Sequence, residues 1–196
     1  MNFLAHLYLS GADPEIRLGN FIGDYVKGKR FDNFPDQVQV GIKLHRAIDF
    51  FTDKHGSTRY CNELLRVEYG KYAGVVVDVL FDHVLANEWK KYSSTELKPF
   101  TRSFYLQMVR RYTLLPDPVK KFLPFMIQSN RLYSYKTTEG LKKAIDIMSS
   151  VTSLPDKSNG ALKILEANRD QIFQQFNTLF PELVEFVQCE YGIKLR

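Results

Sequence analysis

Cysteine is scarce in this sequence, with only Cys61 and Cys189 among 196 residues. The two lie far apart and outside any CxxC spacing, so they provide neither a disulfide framework nor a thiolate metal site. This scarcity excludes the small disulfide-stapled class of secreted domain. We therefore expect a reduced, cytoplasmic setting.

Long hydrophobic runs and several catalytic signatures are also missing. No apolar stretch approaches the roughly 18 residues that a membrane-spanning helix needs, so we expect no membrane partner. The opening MNFLAHLYLSGADPE has neither the basic leader nor the small-residue cleavage pattern of a signal peptide. The patterns GxxxxGK[ST] and GxSxG do not occur. Their absence argues against an ordinary nucleoside triphosphatase and against covalent catalysis by serine.

Acidic residues are outnumbered by basic ones, 22 against 27, which gives a formal net charge of +5 at pH 7. An excess of this sign favours an anionic partner, such as nucleic acid, a phosphorylated metabolite or an acidic protein. The basic residues occur in scattered pairs such as Lys90-Lys91 and Arg110-Arg111 instead of one stripe. We therefore expect no nucleic acid partner.

The sequence contains enough apolar bulk for one helical domain. Hydrophobic residues make up 44% and aromatic residues 14% of a length that suits one compact core. Apolar positions recur at three- and four-residue steps, so we predict an all-α, single-domain helical bundle over 1–196. The valine-rich stretch 72–92 has the composition of a strand, but its length and spacing favour a buried helix.

Capping residues, prolines and glycines give the expected helix limits. We predict helices over 2–10, from Pro14 to near Asp24, and over 35–53, 58–69, 72–92, 94–112, 138–149, 159–180 and 181–191, the last beginning at Pro181.

One predicted helix carries a polar stripe inside the apolar segment GIKLHRAIDFFTD. His45, Asp49 and Asp53 are four residues apart and share one face. Burying unpaired carboxylates is costly, so such a stripe needs a partner, and a divalent cation fits. Asp53 has the alternative of a solvent-exposed helix end. Asp49 has the alternative of pairing at the surface with Lys43 or Arg46, an interaction worth little.

Three other segments supply matching groups. NFLAHL contains His6, GNFIGDYVKG contains Asp24, and VVVDVLFDHVLANEW contains Asp78, Asp82 and His83. A lone histidine in an apolar segment is more often a hydrogen-bonded core residue than a ligand. Asp78 and Asp82 are one turn apart among large apolar residues, where a solvated face is scarce. Histidine and carboxylate without cysteine suits manganese, magnesium, iron or zinc, and the several carboxylates favour manganese or magnesium.

Four blocks of the sequence, in this order, resemble the acyl carrier protein phosphodiesterases, also called holo-acyl-carrier-protein hydrolases. The blocks are MNFLAHLYLS, GNFIGDYVKG, GIKLHRAIDFFTD and DVLFDHVLANEW. The resemblance runs from the first residue to about Trp89 and is weaker beyond it. It implies an all-helical, HD-domain-like fold. It also implies a manganese-dependent reaction that removes the 4'-phosphopantetheine arm from the serine of holo-acyl carrier protein, an acidic protein substrate.

The family blocks map onto polar residues that are all present in this chain. The adjacent pair Asp82-His83 reverses the His-Asp order of HD enzymes, which leaves the assignment of each ligand open. The metal ligands implied are His6, Asp24, His45, Asp78, Asp82 and His83.

The reaction that these groups favour is hydrolysis by a metal-activated water. We expect Asp24, Arg46 and Asp49 to act in catalysis, Asp24 as a ligand or as the base that orients the water. Arginine offers bidentate contacts to phosphate oxygens, which is the role expected of Arg46. The basic residues expected to bind the substrate are Lys27, Lys29, Arg30 and Lys43.

Two alternatives stay open at this point. The resemblance thins where substrate contacts would lie, so the same metal chemistry could act on a nucleotide or another small phosphodiester. A noncatalytic helical module that binds nucleic acid is the other alternative.

Overall fold

The structure is a computed structural model that describes residues 1–28 and 30–195, and this part of the chain is built from helices. These residues contain no strand, which confirms the predicted all-α helical bundle. The α-helices are α1 (Phe3–Leu9), α2 (Pro14–Ile22), α3 (Asp36–Lys54), α4 (Gly56–Tyr69), α5 (Ala73–Asn87), α6 (Leu97–Arg110), α7 (Asp117–Gln128), α8 (Arg131–Ser134), α9 (Thr138–Val151), α10 (Ser158–Ala167) and α11 (Arg169–Tyr191).

The valine-rich segment forms the central helix, α5, as its spacing predicted. Val76, Val77, Leu80 and Val84 are fully buried, because α1, α4, α9 and α11 pack around this helix. A helix enclosed on nearly all sides carries apolar residues all round, which explains its strand-like composition. Within residues 1–28 and 30–195, no helix combines the length and apolar character needed to cross a membrane.

Side-chain caps set the start of the helices that lead to the polar cluster. Asn2 accepts a hydrogen bond from the amide of Phe3 at the start of α1. Asp13 accepts from two amides at the start of α2, where Pro14 occupies the first position. Both arrangements satisfy amides that the helix itself leaves unpaired.

Several of the predicted boundaries are wrong. The helix predicted over 72–92 ends at Asn87, and Trp89–Lys91 form a separate 3₁₀ turn. Helix α2 ends at Ile22, and Asp24 lies in a separate 3₁₀ turn, Gly23–Tyr25. The segment predicted as one helix over 159–180 is broken at Asn168, which lies between α10 and α11. Pro181 lies inside α11 instead of beginning a helix.

Helices α2 and α3 approach unusually closely, and this contact positions the polar cluster. A Cβ on Gly19 would collide with the carbonyl of Val38, and one on Gly41 would collide with the carbonyl of Ile16. Gly23, just before Asp24, lies against the ring of His45 in the same way. Glycine at these positions lets the two backbones meet and brings the 3₁₀ turn onto α3.

Candidate metal centre

Three helical segments bring together the polar side chains of the cluster. His6 comes from α1, while His45 and Asp49 come from successive turns of α3. One ligand-type atom from each lies within 4.8 Å of the others. Asp24 reaches the same group from the 3₁₀ turn. Four of the residues singled out in the sequence therefore meet. Asp49 is among them, and it was expected both in the polar stripe that suits a cation and in catalysis.

The distances place carboxylate oxygens against both imidazoles. Asp49 Oδ1 lies 3.1 Å from His6 Nε2, and Asp49 Oδ2 lies 3.2 Å from His45 Nε2. Asp24 Oδ1 lies 3.1 Å from the same His45 nitrogen. The two imidazole rings are stacked, with centroids 4.3 Å apart. The Nε2 atoms of both rings thus face Asp49, and that of His45 also faces Asp24.

Asn20, which is fully buried, orients His6. Its amide nitrogen donates to the carbonyl of His6 and to Ser10 Oγ, each at 2.9 Å, and this fixes the amide with Oδ1 toward the ring. Oδ1 lies 2.7 Å from His6 Nδ1, which must therefore carry the proton and donate it. In the neutral imidazole the lone pair is then on Nε2.

The surroundings of His6 Nε2 are all hydrogen-bond acceptors. The carbonyl of Met1 lies 3.0 Å away and Asp49 Oδ1 lies 3.1 Å away. Burial lowers the pKa of His6, although Asp49 opposes this, so the neutral ring is favoured. Lone pairs that converge in this way suit a cation between them. Imidazole nitrogen and carboxylate oxygen without thiolate fits manganese, magnesium or iron.

The remaining pKa shifts show a charged cluster. Burial disfavours protonated His45, but hydrogen bonds to Asp24 and Asp49 outweigh this and raise its pKa to about 9. The same bond from His45 lowers the pKa of Asp24 despite its partial burial. Burial also opposes ionisation of Asp49, yet the hydrogen bond from protonated His45 holds the pKa of Asp49 well below the usual range. Both carboxylates are ionised at neutral pH.

The sequence of residues 1–183 matches the family model described as acyl carrier protein phosphodiesterase. The chain belongs to this family. Relatives with the same name occur in Escherichia coli O6:H1 and O45:K1, each 30% identical over 189 residues, covering 94% of this chain and 96% of the relative. Another from Escherichia coli O139:H28 is 29% identical over 188 residues with the same coverage. No solved structure matches.

In this member of the family, Asp78 lies beside the cluster without being one of its closest groups. Its Oδ1 is 2.9 Å from the amino nitrogen of Met1, which is itself 4.0 Å from Asp49 Oδ1. The carboxylate of Asp78 is therefore paired with an ammonium group. Asp53, the last residue of the polar stripe, has an exposed side chain. Partial desolvation of its carboxyl group and the negative charge of Asp78 raise the pKa of Asp53.

The structure gives Asp82 and His83 contacts other than the expected metal. Asp82 is fully buried, and its two oxygens accept from the amides of Leu4 at 2.7 Å and Ala5 at 3.0 Å. His83 Nδ1 donates to the carbonyl of Tyr135 at 2.7 Å. Asp82 thus caps α1, and His83 fastens α5 to the residue that follows α8, so the structure does not bring this pair into the cluster, and its ligand role stays a prediction.

The basic residues lie around the cluster instead of within it. Arg46 Nη2 donates to the carbonyls of Val26 at 2.8 Å and Gly28 at 3.1 Å, so it fastens the loop that follows Asp24. Phe31 lies 5.3 Å from both the Arg46 guanidinium and the Lys43 ammonium. Lys27 and Lys43 are exposed. Lys29 lies outside the described residues, as does the side chain of Arg30.

Two groups of the cluster were missed in the sequence. Asn20 offered one signal, because it is a polar residue within the otherwise nonpolar segment LGNFI. The carbonyl of Met1 offered none, because a backbone oxygen enters a site only through the fold.

Proposed function

We propose that this protein is a metal-dependent phosphodiesterase that removes the 4'-phosphopantetheine arm from holo-acyl carrier protein and leaves the apo protein. One observation carries the proposal. The Nε2 atoms of His6 and His45 converge with Asp49 and Asp24, in a chain whose family and relatives bear the name of this reaction. Manganese is the expected cation, with magnesium and iron as alternatives of the same ligand chemistry.

The residues that would hold the cation are His6, His45 and Asp49, with Asp24 at the open side. A bound divalent cation would lower the pKa of a water and neutralise charge on the phosphodiester oxygens. Asn20, which accepts the proton of His6 Nδ1, keeps the Nε2 lone pair directed at this position.

Exposure separates the ligands from the residue that meets the substrate. The side chains of His6 and His45 are 4% and 9% exposed, whereas that of Asp24 is 69% exposed. The phosphodiester therefore approaches from the side of Asp24. Asp24, held ionised, accepts a proton from the attacking water at a carboxylate oxygen. The water oxygen bonds to phosphorus and the bond from phosphorus to the serine Oγ breaks. That Oγ takes up a proton from solvent, and Asp24 releases the proton it accepted to solvent.

Replacement of Asp24 tests the proposal directly. We expect Asp24→Asn to remain folded and to lose about 10²- to 10⁴-fold in the rate of arm release, because a neutral amide does not accept the proton. The measurement is the manganese-supported conversion of holo- to apo-acyl carrier protein, followed by mass spectrometry. Asp32→Asn is the matched control, an exposed aspartate of a neighbouring turn.

Two results would contradict the proposal. Full activity of Asp24→Asn would remove this residue from the reaction. Unchanged arm release by wild-type protein stripped with a chelator would remove the metal. A panel of nucleotide and other small phosphodiesters, assayed beside holo-acyl carrier protein, tests the identity of the substrate. A markedly higher kcat/KM for a small diester than for the carrier protein would show that the small diester is the substrate.

A further inference from the structure

An exposed aromatic patch borders the open side of the cluster. It consists of the exposed rings of Tyr25 and Phe125 and the half-buried ring of Phe122. Tyr25 follows Asp24 directly, is 36% exposed, and its ring centroid lies 5.7 Å from that of Phe122 in α7. Phe125 lies one turn further along α7 and is 69% exposed. Large apolar side chains held in water at one place indicate an interaction surface.

Basic residues flank this aromatic patch. Lys121 is exposed and precedes Phe125 by four residues, so both lie on one face of α7. Lys27 is exposed two residues after Tyr25. The chain as a whole carries a net charge of +5. The surface thus combines aromatic contact area with positive charge, which suits an acidic partner with apolar side chains.

The chemistry of the substrate restricts where its carrier protein lies. The bond to be broken joins phosphorus to a serine oxygen, so only a serine side chain separates the reacting atoms from the carrier's backbone. A carrier whose phosphodiester reaches Asp24 must therefore touch the surface that borders Asp24. The aromatic patch is such a surface.

We propose that the aromatic patch, with Lys121 and Lys27, is the docking site of acyl carrier protein. This inference rests on the proposed function for the identity of the partner. The aromatic rings receive apolar side chains next to the modified serine, and the two lysines pair with carboxylates of the acidic carrier. The docked carrier then presents its phosphodiester at the exposed carboxylate of Asp24.

Binding of apo-acyl carrier protein tests the docking site without any turnover, because the apo form has no arm to release. We expect Phe125→Ser and Lys121→Glu each to raise the Kd, measured by titration calorimetry, by about tenfold or more, as loss of a central contact does. Val151→Ser and Lys143→Glu are matched controls on α9, where Val151 is 76% exposed and Lys143 is exposed. Both controls are expected to bind as the wild type does.

The outcomes separate this inference from the proposed function. Wild-type affinity in both α7 variants would overturn the docking site, whatever the enzyme does. Weakened binding in the α7 variants but not in the controls supports it. Failure of the wild-type protein to convert holo-acyl carrier protein, with apo carrier still bound, would overturn the reaction and leave the docking site in place.

Discussion

A single amide side chain, that of Asn20, decides which nitrogen of His6 faces the cluster. It accepts from His6 Nδ1 and donates to the carbonyl of the same residue, so both the tautomer and the position of the ring are set. Groups that orient a metal-binding histidine in this way commonly govern metal affinity as strongly as a weak ligand does. Asn20 is therefore a positioning residue for the proposed metal centre.

We expect Asn20→Ala to raise the dissociation constant for manganese by about 10- to 100-fold, because His6 loses the acceptor that holds its Nδ1 proton. The variant also leaves the buried Nδ1 proton of His6 without its acceptor, at about 1 to 3 kcal/mol of unfolding free energy, whereas the His6 carbonyl keeps its hydrogen bond from Ser10 Oγ. Metal titration followed by calorimetry measures the first effect and denaturant unfolding the second. Asn177→Ala in α11, which loses its bond to the Phe173 carbonyl and its bond from the Tyr92 hydroxyl, is the control and keeps its metal affinity. Unchanged manganese affinity in folded Asn20→Ala would show that Asn20 has no positioning role.

At the scale of elements, α1 depends on α5 for its position. Asp82 of α5 accepts both amides at the start of α1, which carries His6 two residues later. Burial raises the pKa of Asp82 to about 7, against the opposing effect of the two amide hydrogen bonds. The same carboxylate is therefore both a helix cap and a source of pH-dependent stability.

The sign of this pH dependence follows from proton uptake. Between about pH 4 and pH 7, folded Asp82 holds a proton that the unfolded chain has released. Its contribution to the unfolding free energy therefore falls as the pH rises through this range. We expect Asp82→Asn to lose this component, and also to be less stable by about 1 to 3 kcal/mol because an amide nitrogen then faces a backbone donor.

Urea unfolding of chelated wild type and Asp82→Asn at several pH values between 4 and 8 measures the effect. The difference between the two curves should change across the range. Parallel curves would show that Asp82 titrates in the folded protein as it does in the unfolded chain.

Helix periodicity and a few motifs predicted much of this element arrangement. His45 and Asp49 could be paired from their spacing alone, because two residues that are four positions apart on one helix share a face. The partner of Asp82 could not be predicted in this way. From the sequence alone, a buried carboxylate is equally suited to bind a metal or to accept hydrogen bonds from two amides, and only the packing of α1 on α5 determines which partner it has. The contact of Arg46 with the Val26 carbonyl depends on the loop after α2, which no periodicity describes. The break at Asn168 was not predicted, because the segment 159–180 contains neither a proline nor a glycine next to Asn168.

At the scale of the whole molecule, the cluster ties together helices that are distant in sequence. His6 and Asp49 join α1 to α3, and Asp24 joins the turn after α2 to the same helix. A cation held by these residues binds the folded chain but not the unfolded one, so it stabilises the entire bundle by mass action.

We expect manganese at about 100 times its Kd to raise the unfolding temperature of chelated protein by about 5 to 10 °C, which is the shift expected from about 2.7 kcal/mol in a domain of this size. Calorimetric scans with and without the ion measure the shift. His6→Gln is expected to lose most of it, whereas His55→Gln, at an exposed pair with Glu182, keeps it. Equal shifts in both variants would place the cation elsewhere in the protein.

The amide of Leu4 finds its acceptor 78 residues further along the chain. Until the ribosome has synthesised α5, the amides of Leu4 and Ala5 in α1 lack their acceptor, the Asp82 carboxylate, and the position of His6 is not fixed. Synthesis therefore runs well past the sequence of every residue in the cluster before those residues can assemble. A nascent chain released before α5 would contain His6, Asp24, His45 and Asp49 and yet bind no metal with native affinity.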